Sequence, residues 1–283
     1  MMCEDDLYLE NVDWGEVWKA RMVRSHASHI VQGIGPRWEQ TEDARRYDSE
    51  VDEEYRRRVQ ETISLLPVRE GTRILDIGSG PGTITLPLSQ MGGIVTAVEP
   101  AAGMQQVLRE RVTEARVPVR LVEKGWEDVS PGSDLDGPYD ITLASFSLVM
   151  TDIRAAVEKM IRVTAGEIYL ITFVEGPLWE QMAQDLWPEL HDLPYYPGPK
   201  ADILWNVLYQ MGIYANVLVR MLGKSYHFSS LDEACNFFAH RFGAEDTSQK
   251  RAIQEYLGGK NMATDGTFLY RRESPYATIW WKT

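Results

Sequence analysis

"RILDIGSGPG", Arg73 to Gly82, sets three glycines within five positions directly behind a short apolar run. Glycines at alternate positions after a strand mark a turn whose backbone needs conformations, or approach distances, that a side chain forbids. Four occupants suit such a turn before a helix: a phosphate group, a dinucleotide, another nucleoside cofactor, or no ligand at all. A phosphate loop requires lysine after its last glycine, and Thr83 follows Gly82. The dinucleotide spacing G-x-G-x-x-G requires glycine at position 83, so Gly82 falls one residue early.

From Arg73 onward, short apolar strands alternate with helical segments. They run "RILDIG", Thr83 to Gln90, "GIVTAVE", Met104 to Glu114, "PVRLVE", "YDITLASF", Ile153 to Val163 and "EIYLITF". This rhythm predicts an α/β fold, a doubly wound and mostly parallel seven-stranded sheet covered by helices on both faces. Two helices precede it. One lies near Asp13 to Arg24, with Trp14, Trp18 and Met22 four residues apart, and one near Ser49 to Leu66, striped by Val51, Tyr55, Val59 and Ile63. After Phe173 an aromatic helical insertion runs from Pro177 to about Gly212, followed by the strand "YANVLVRM" and a helix from Ser230 to Phe242. The terminal "GTFLYRRESPYATIWWK" reads as an antiparallel edge hairpin turning at Arg272 to Pro275. The expected organisation is one domain overall, with a helical cap over 1–70, a cofactor-binding core over 71–174, and the insertion and remaining strands over 175–283.

Composition limits the function classes. Of 283 residues 44% are apolar and 25% charged, enough for a sizeable core. The 29 basic against 42 acidic residues give a net charge of −13, which repels polyanions, so no nucleic-acid partner is expected. Cys3 and Cys235 are too few for a disulfide framework or a thiolate metal site, and no carboxylate cluster suggests a metal. The acidic N-terminus lacks the apolar run of a secretory leader, and no stretch reaches the roughly 18 apolar residues of a membrane span, so a cytoplasmic protein without a membrane partner is expected. Oligomeric state is left open.

The pattern Asp76-x-Gly78-x-Gly80-x-Gly82, with Asp76 still on the strand, resembles motif I of class I S-adenosylmethionine-dependent methyltransferases. The resemblance covers roughly Tyr47 to Phe173. Seventeen positions after Gly82, "VTAVEP" supplies Glu99 at the end of the second strand, where the family holds the cofactor ribose. A carboxylate suits a diol because it accepts two hydrogen bonds at once. "EKGWEDV" is similar to the segment flanking the adenine, with Trp126 where the family commonly has Asp, so the adenine amino group is expected to meet Glu127 or backbone. "RWEQTEDARRYDSEV" is similar to the segment that folds over the cofactor, through Trp38, Arg46 and Tyr47. The cofactor set implied is Asp76, Gly78, Ser79, Gly80, Gly82, Glu99, Pro100, Met104, Trp126, Glu127, Ser145, Trp38 and Tyr47. Each has a plainer alternative: Asp76 as a helix cap, Glu99 as a solvated acid, Met104, Trp38 and Tyr47 as core.

The resemblance implies in-line methyl transfer from S-adenosylmethionine. A small molecule is the expected acceptor. A peptide or protein acceptor, a non-catalytic binding protein on the same fold, and a dinucleotide enzyme remain as alternatives. After the fourth strand stand Ser145, Phe146 and Ser147 rather than the Asn-Pro-Pro-Tyr type motif of amino-group methylases. His191 is the one histidine in the insertion; it and Tyr195 are candidate catalytic residues, with Phe146, Tyr196, Trp205 and Tyr209 as candidate pocket residues. The alternatives for these are a solvated loop histidine and ordinary packing.

Overall fold

A computed structural model describes residues 12–29, 38–49, 53–258 and 267–283. Cys3, Val51 and the side chain of His29 lie outside what is described.

Helix α1 (Trp14–His29) starts where the Asp13 carboxylate accepts the Glu16 N–H at 3.1 Å, one of the donors a helix start leaves unpaired. Its Trp18 and Met22 are buried, and the Trp18 indole N–H donates to the Met150 carbonyl at 2.8 Å. Helix α2 (Thr41–Ser49) forms within the stretch read as a covering segment, and α3 (Glu53–Leu65) buries Val59.

The core alternates β1 (Arg73–Ile77), α4 (Thr85–Gln90), β2 (Ile94–Val98), α5 (Ala102–Ala115), β3 (Val119–Val122), the short α6 (Pro131–Asp134), β4 (Tyr139–Ser145), α7 (Ile153–Val163) and β5 (Thr164–Phe173). Helices α8 (Leu178–His191) and α9 (Ala201–Gln210) follow. Then come β6 (Asn216–Phe228), α10 (Leu231–Arg241), α11 (Thr247–Gly258) and β7 (Phe268–Lys282).

These strands form a seven-stranded sheet in the order β3-β2-β1-β4-β5-β7-β6. Strands β1 to β5 are parallel, and β7 runs antiparallel to both β5 and β6. Alternation along β1 splits its side chains between two cores, as the two-residue strand period requires. Leu75 and Ile77 join Trp18, Val157 and Leu204 on one face, while Ile74 joins Val59, Leu88 and Tyr169 on the other. Strand order reverses between β1 and β4, and the crevice beyond their carboxyl ends is where open α/β sheets bind ligands.

The sheet edge is antiparallel, as the sequence suggests, but the turn lies elsewhere. Residues 272–275 do not turn; β7 runs unbroken through Pro275, which pairs with Met221. Strand β5 ends at Phe173 opposite Tyr276, so Pro275 sits where that ladder stops and its missing N–H is not needed. Its carbonyl accepts the Val174 N–H at 2.9 Å. The partner of β7 at the edge is β6, separated from it in sequence by α10 and α11. These two helices pack with α8 around Leu186, Trp187, Phe238, Phe242 and Ile253 to make a second core beside the sheet.

Among the described residues no helix is long and apolar enough to cross a membrane. Trp18 ties α1 to the segment after β4, so Trp18→Ala removes both a packed indole and the bond to Met150. Urea denaturation should report a loss of about 3–5 kcal/mol; a loss under about 1 kcal/mol would show that α1 contributes little to the fold.

Candidate active site

Three glycines shape the turn after β1, each for a different reason. Gly78, Gly80 and Gly82 have φ of +70°, +55° and +84°, the left-handed region that disfavours side chains. A Cβ at Gly78 would collide with the side chain of Ser147, whose hydroxyl donates to the Ile77 carbonyl at 2.5 Å. A Cβ at Gly82 would collide with Leu86 and Leu108, so this glycine lets α4 and α5 pack closely. At Gly80 a Cβ would meet nothing within 4 Å. That open face is the one part of the turn that packing within the chain does not account for.

Polar groups surround it. Glu99, buried at the end of β2, accepts the Gly80 N–H at 2.8 Å through Oε2 and the Ala101 N–H at 2.9 Å through Oε1. Each oxygen keeps a further acceptor site, so the carboxylate can still bind a diol. Burial raises its pKa, and the two N–H bonds oppose the rise. The Ser79 and Thr83 hydroxyls are buried with no hydrogen-bond partner among the described residues. Such orphans are unusual unless a ligand completes them. A nucleoside linked to an amino acid fits this donor set: diol to Glu99, ammonium and carboxylate toward the two hydroxyls.

Asp76 plays a different part. It is buried, and its Oδ2 accepts the Thr85 hydroxyl at 2.5 Å, turning it toward α4. Burial pushes its pKa up to about 7, with the Glu99 charge adding to the rise and the Thr85 bond opposing it.

The segment before α2 covers the start of α5. The Glu39 carboxylate accepts the Ala102 N–H at 2.9 Å, and the backbone of Trp38 and Gln40 lies where a Cβ on Gly103 would have to go. Trp38 meets Met104, Ala44 and Ala101, and stands edge-on to Tyr47 with ring centres 5.3 Å apart. The Tyr47 and Tyr55 hydroxyls are 3.2 Å apart. Pro100 is exposed, and its carbonyl accepts from the Gln105 amide.

Trp126 lies apart from this group. Its indole is buried in the core below the sheet's binding edge and donates to the Ala156 carbonyl in α7 at 3.1 Å. Lys159 ties down the same loop through the carbonyls of Trp126, Glu127 and Val129, leaving the Glu127 side chain exposed.

Ser145 ends β4, half-buried, and Phe146 follows with φ +55°. Its ring lies 4.4 Å from Phe173 and 5.8 Å from Tyr276. Above them Arg58 of α3 is only 5% exposed, yet its Nε and Nη1 have no hydrogen-bond partner among the described residues.

The insertion residues go elsewhere. His191 Nε2 lies 2.8 Å from the Phe242 carbonyl, and its ring, like that of Tyr195, packs on Trp187 in the second core. Burial lowers the His191 pKa and raises that of Tyr195, so both are neutral near pH 7. Tyr196 is exposed beside Arg24, and Trp205 stacks on exposed Tyr209. Among the described residues none of these five rings is in ring contact with Phe146, whose ring neighbours are Phe173 and Tyr276. A separate polar cleft of about 500 Å³ opens beside the end of β5, where Lys200 and buried Glu180 pair at 2.6 Å.

Sequence reading overlooked Thr83 and Arg58. Thr83 directly follows the last glycine of the motif and could have been found there. Arg58 sits in "EEYRRRVQE", which reads as a solvated helix face, and only the docking of α3 on the sheet buries it.

Folding raises the Asp76 pKa, so between about pH 4 and pH 7 the folded chain holds a proton that the unfolded chain has released. The contribution of Asp76 to stability therefore falls as pH rises through that window. Asp76→Asn cannot ionise, and its melting temperature should gain on that of the wild type between about pH 5 and pH 8. A difference that stays flat over that range would contradict a buried, proton-holding Asp76.

Residues 74–166 match a family model described as a methyltransferase domain. An uncharacterised protein of Haemophilus influenzae is 23% identical over 229 residues, covering 78% of this chain and 80% of that protein. Among solved structures, a candidate methyltransferase from Bacillus halodurans superposes with a TM-score of 0.56 at 12% identity, over 79% of this chain and 97% of that one. Magnesium protoporphyrin IX methyltransferase from Synechocystis, solved with S-adenosylhomocysteine bound, gives 0.50 at 12% identity, over 82% and 85%. These two likenesses concern the fold. With the sheet order, the glycine turn and Glu99 at the end of β2, the family match identifies residues 74–166 as a class I S-adenosylmethionine-dependent methyltransferase domain.

Proposed function

We propose that this chain transfers a methyl group from S-adenosylmethionine to a small-molecule acceptor held beyond the carboxyl ends of β4 and β5. The observation that carries the reading is the open face of Gly80, bordered by a buried Glu99 with acceptor sites to spare. The cofactor supplies a methyl group already activated on a positively charged sulfur.

The chain binds, orients and excludes water. Glu99 accepts both ribose hydroxyls while its bonds to Gly80 and Ala101 hold the carboxylate at one angle. Ser79 and Thr83 face the amino-acid end. Met104 and Trp38 give apolar walls beside the base, whose amino group meets Glu127 or the backbone near it. Phe146, Phe173 and Tyr276 form an aromatic wall that keeps water from an acceptor set in line, about 3 to 3.5 Å from the methyl carbon.

Acceptor size is inferred from that wall and from the net charge of −13, which disfavours polyanions. No general base is assigned: His191 is engaged with the Phe242 carbonyl, and Tyr195 is held protonated by burial.

Calorimetry with S-adenosylhomocysteine tests the cofactor site. Glu99→Ala should weaken binding by about 1–3 kcal/mol through the lost ribose bonds. Gly80→Val should abolish it by filling the open face, at a strain cost of about 1–2 kcal/mol to the fold. Unchanged affinity in both variants would refute the assignment. Release of S-adenosylhomocysteine over a panel of acceptors separates an enzyme from a protein that only binds the cofactor.

A further inference from the structure

The guanidinium of Arg58 is the most conspicuous unpaired charge near the crevice. It is only 5% exposed, and among the described residues Nε and Nη1 have no hydrogen-bond partner. Among the described residues no carboxylate lies within ion-pair distance of it. Instead its central carbon sits 4.5 Å from the centre of the Tyr55 ring and 4.9 Å from that of Phe146. Rings favour a cation, but they satisfy none of its N–H donors. A buried charge without a hydrogen-bonding counter-ion is costly, and chains keep such groups where a ligand completes them.

We propose that Arg58 is the anchor for a carboxylate carried by the methyl acceptor. The inference rests on the methyltransferase reading above and adds the acceptor's chemical class. Sheet topology assigns the anion to the acceptor rather than to the cofactor. The glycine turn, Glu99 and the orphaned Ser79 and Thr83 hydroxyls belong to the ends of β1 and β2. Arg58 faces Phe146 after β4, whose ring leads on to Phe173 at the end of β5 and Tyr276 of β7, on the other side of the switch point.

Local charge sets the ligand's charge. Arg220 stands directly opposite Tyr276 across the β6–β7 ladder and bonds its side chain, and among the described residues its Nη1 is also buried without a hydrogen-bond partner. Glu61 reaches the Tyr276 hydroxyl at 3.5 Å, and Glu54 pairs with Arg271 at 2.9 Å. Glu61 also lies 4.0 Å from Arg57, and Glu273 shares Arg271 with Glu54, so four arginines (Arg57, Arg58, Arg220 and Arg271) face three carboxylates (Glu54, Glu61 and Glu273), an excess of one positive charge to neutralise. A monoanionic carboxylate meets that need, and its planar oxygens match the guanidinium fork. Phe146 and Phe173 would contact the apolar body of the same molecule, so an aromatic or aliphatic acid is the expected class. A carboxylate held by charge-assisted bonds loses basicity, so it anchors while another atom of the acceptor takes the methyl group.

The test is calorimetric titration of the full chain, first with S-adenosylhomocysteine and then, on the saturated complex, with benzoate and its neutral counterpart benzamide. Benzoate should bind at least about tenfold more tightly than benzamide. Arg58→Gln should erase that preference while leaving the affinity for S-adenosylhomocysteine within about twofold of the wild type. Arg58→Lys keeps the charge without the fork. It should retain the cofactor affinity and lose about fivefold or more for benzoate, which preserves the test should the Gln variant fail to fold.

Equal binding of the two probes, or none of either, would overturn the proposal while the cofactor reading stands. A loss of about tenfold or more in S-adenosylhomocysteine affinity in folded Arg58→Lys would overturn it too, by assigning the cation to the cofactor's own carboxylate. A wild type that does not bind S-adenosylhomocysteine would overturn both readings.

Discussion

A single buried carboxylate joins the two loops on which the cleft depends. Glu99 takes the Gly80 N–H from the loop after β1 and the Ala101 N–H from the start of α5, fixing those loops relative to each other at the carboxyl edge of the sheet. Taking a carboxylate out of water is unfavourable, and the two backbone bonds offset part of that cost. Beside them the hydroxyls of Ser79 and Thr83 are buried without a hydrogen-bond partner among the described residues.

Asp76 and Glu99 illustrate how position divides the work of two acids at one sheet edge. Asp76 lies on the neighbouring strand, level with Ala97, and faces α4, where full burial pushes its pKa up against the opposing bond from the Thr85 hydroxyl. Glu99 emerges at the strand end and meets backbone donors that favour its ionised form. One shapes the glycine turn from behind, and the other addresses the cleft. The three glycines divide similarly: Gly78 makes room for Ser147 and Gly82 for Leu86 and Leu108, leaving Gly80 as the position open to a ligand.

Much of the fold was legible because it is local. A parallel strand buried on both faces reads as an apolar run, and Ile74 to Ile77, Val95 to Val98 and Ile141 to Ala144 could be picked out in that way. Helix α7 was legible to its end residues, since its Ile153, Ala156, Val157 and Met160 stripe has helical period. The edge was not. "RRESP" carries turn-forming residues, and nothing local says that a neighbouring strand, β6, will hold them extended or that Pro275 will fall where the β5 ladder ends. The partner of the Trp126 N–H was hidden for a related reason: the Ala156 carbonyl of α7 that accepts it lies thirty residues away in the chain.

The sequence by itself determined the alternation of strands and helices, the order of the glycine turn and Glu99, and hence the kind of cofactor, because these depend on spacing along the chain. Tertiary structure alone decided which face of Gly80 stays open, where the insertion aromatics go, and that Arg58 is buried between Tyr55 and Phe146 with no counter-ion among the described residues. Burial and pairing are properties of neighbours that meet only when α3 docks against the sheet. An arginine on a charged helix face therefore carries no sign in the sequence of the anion it awaits.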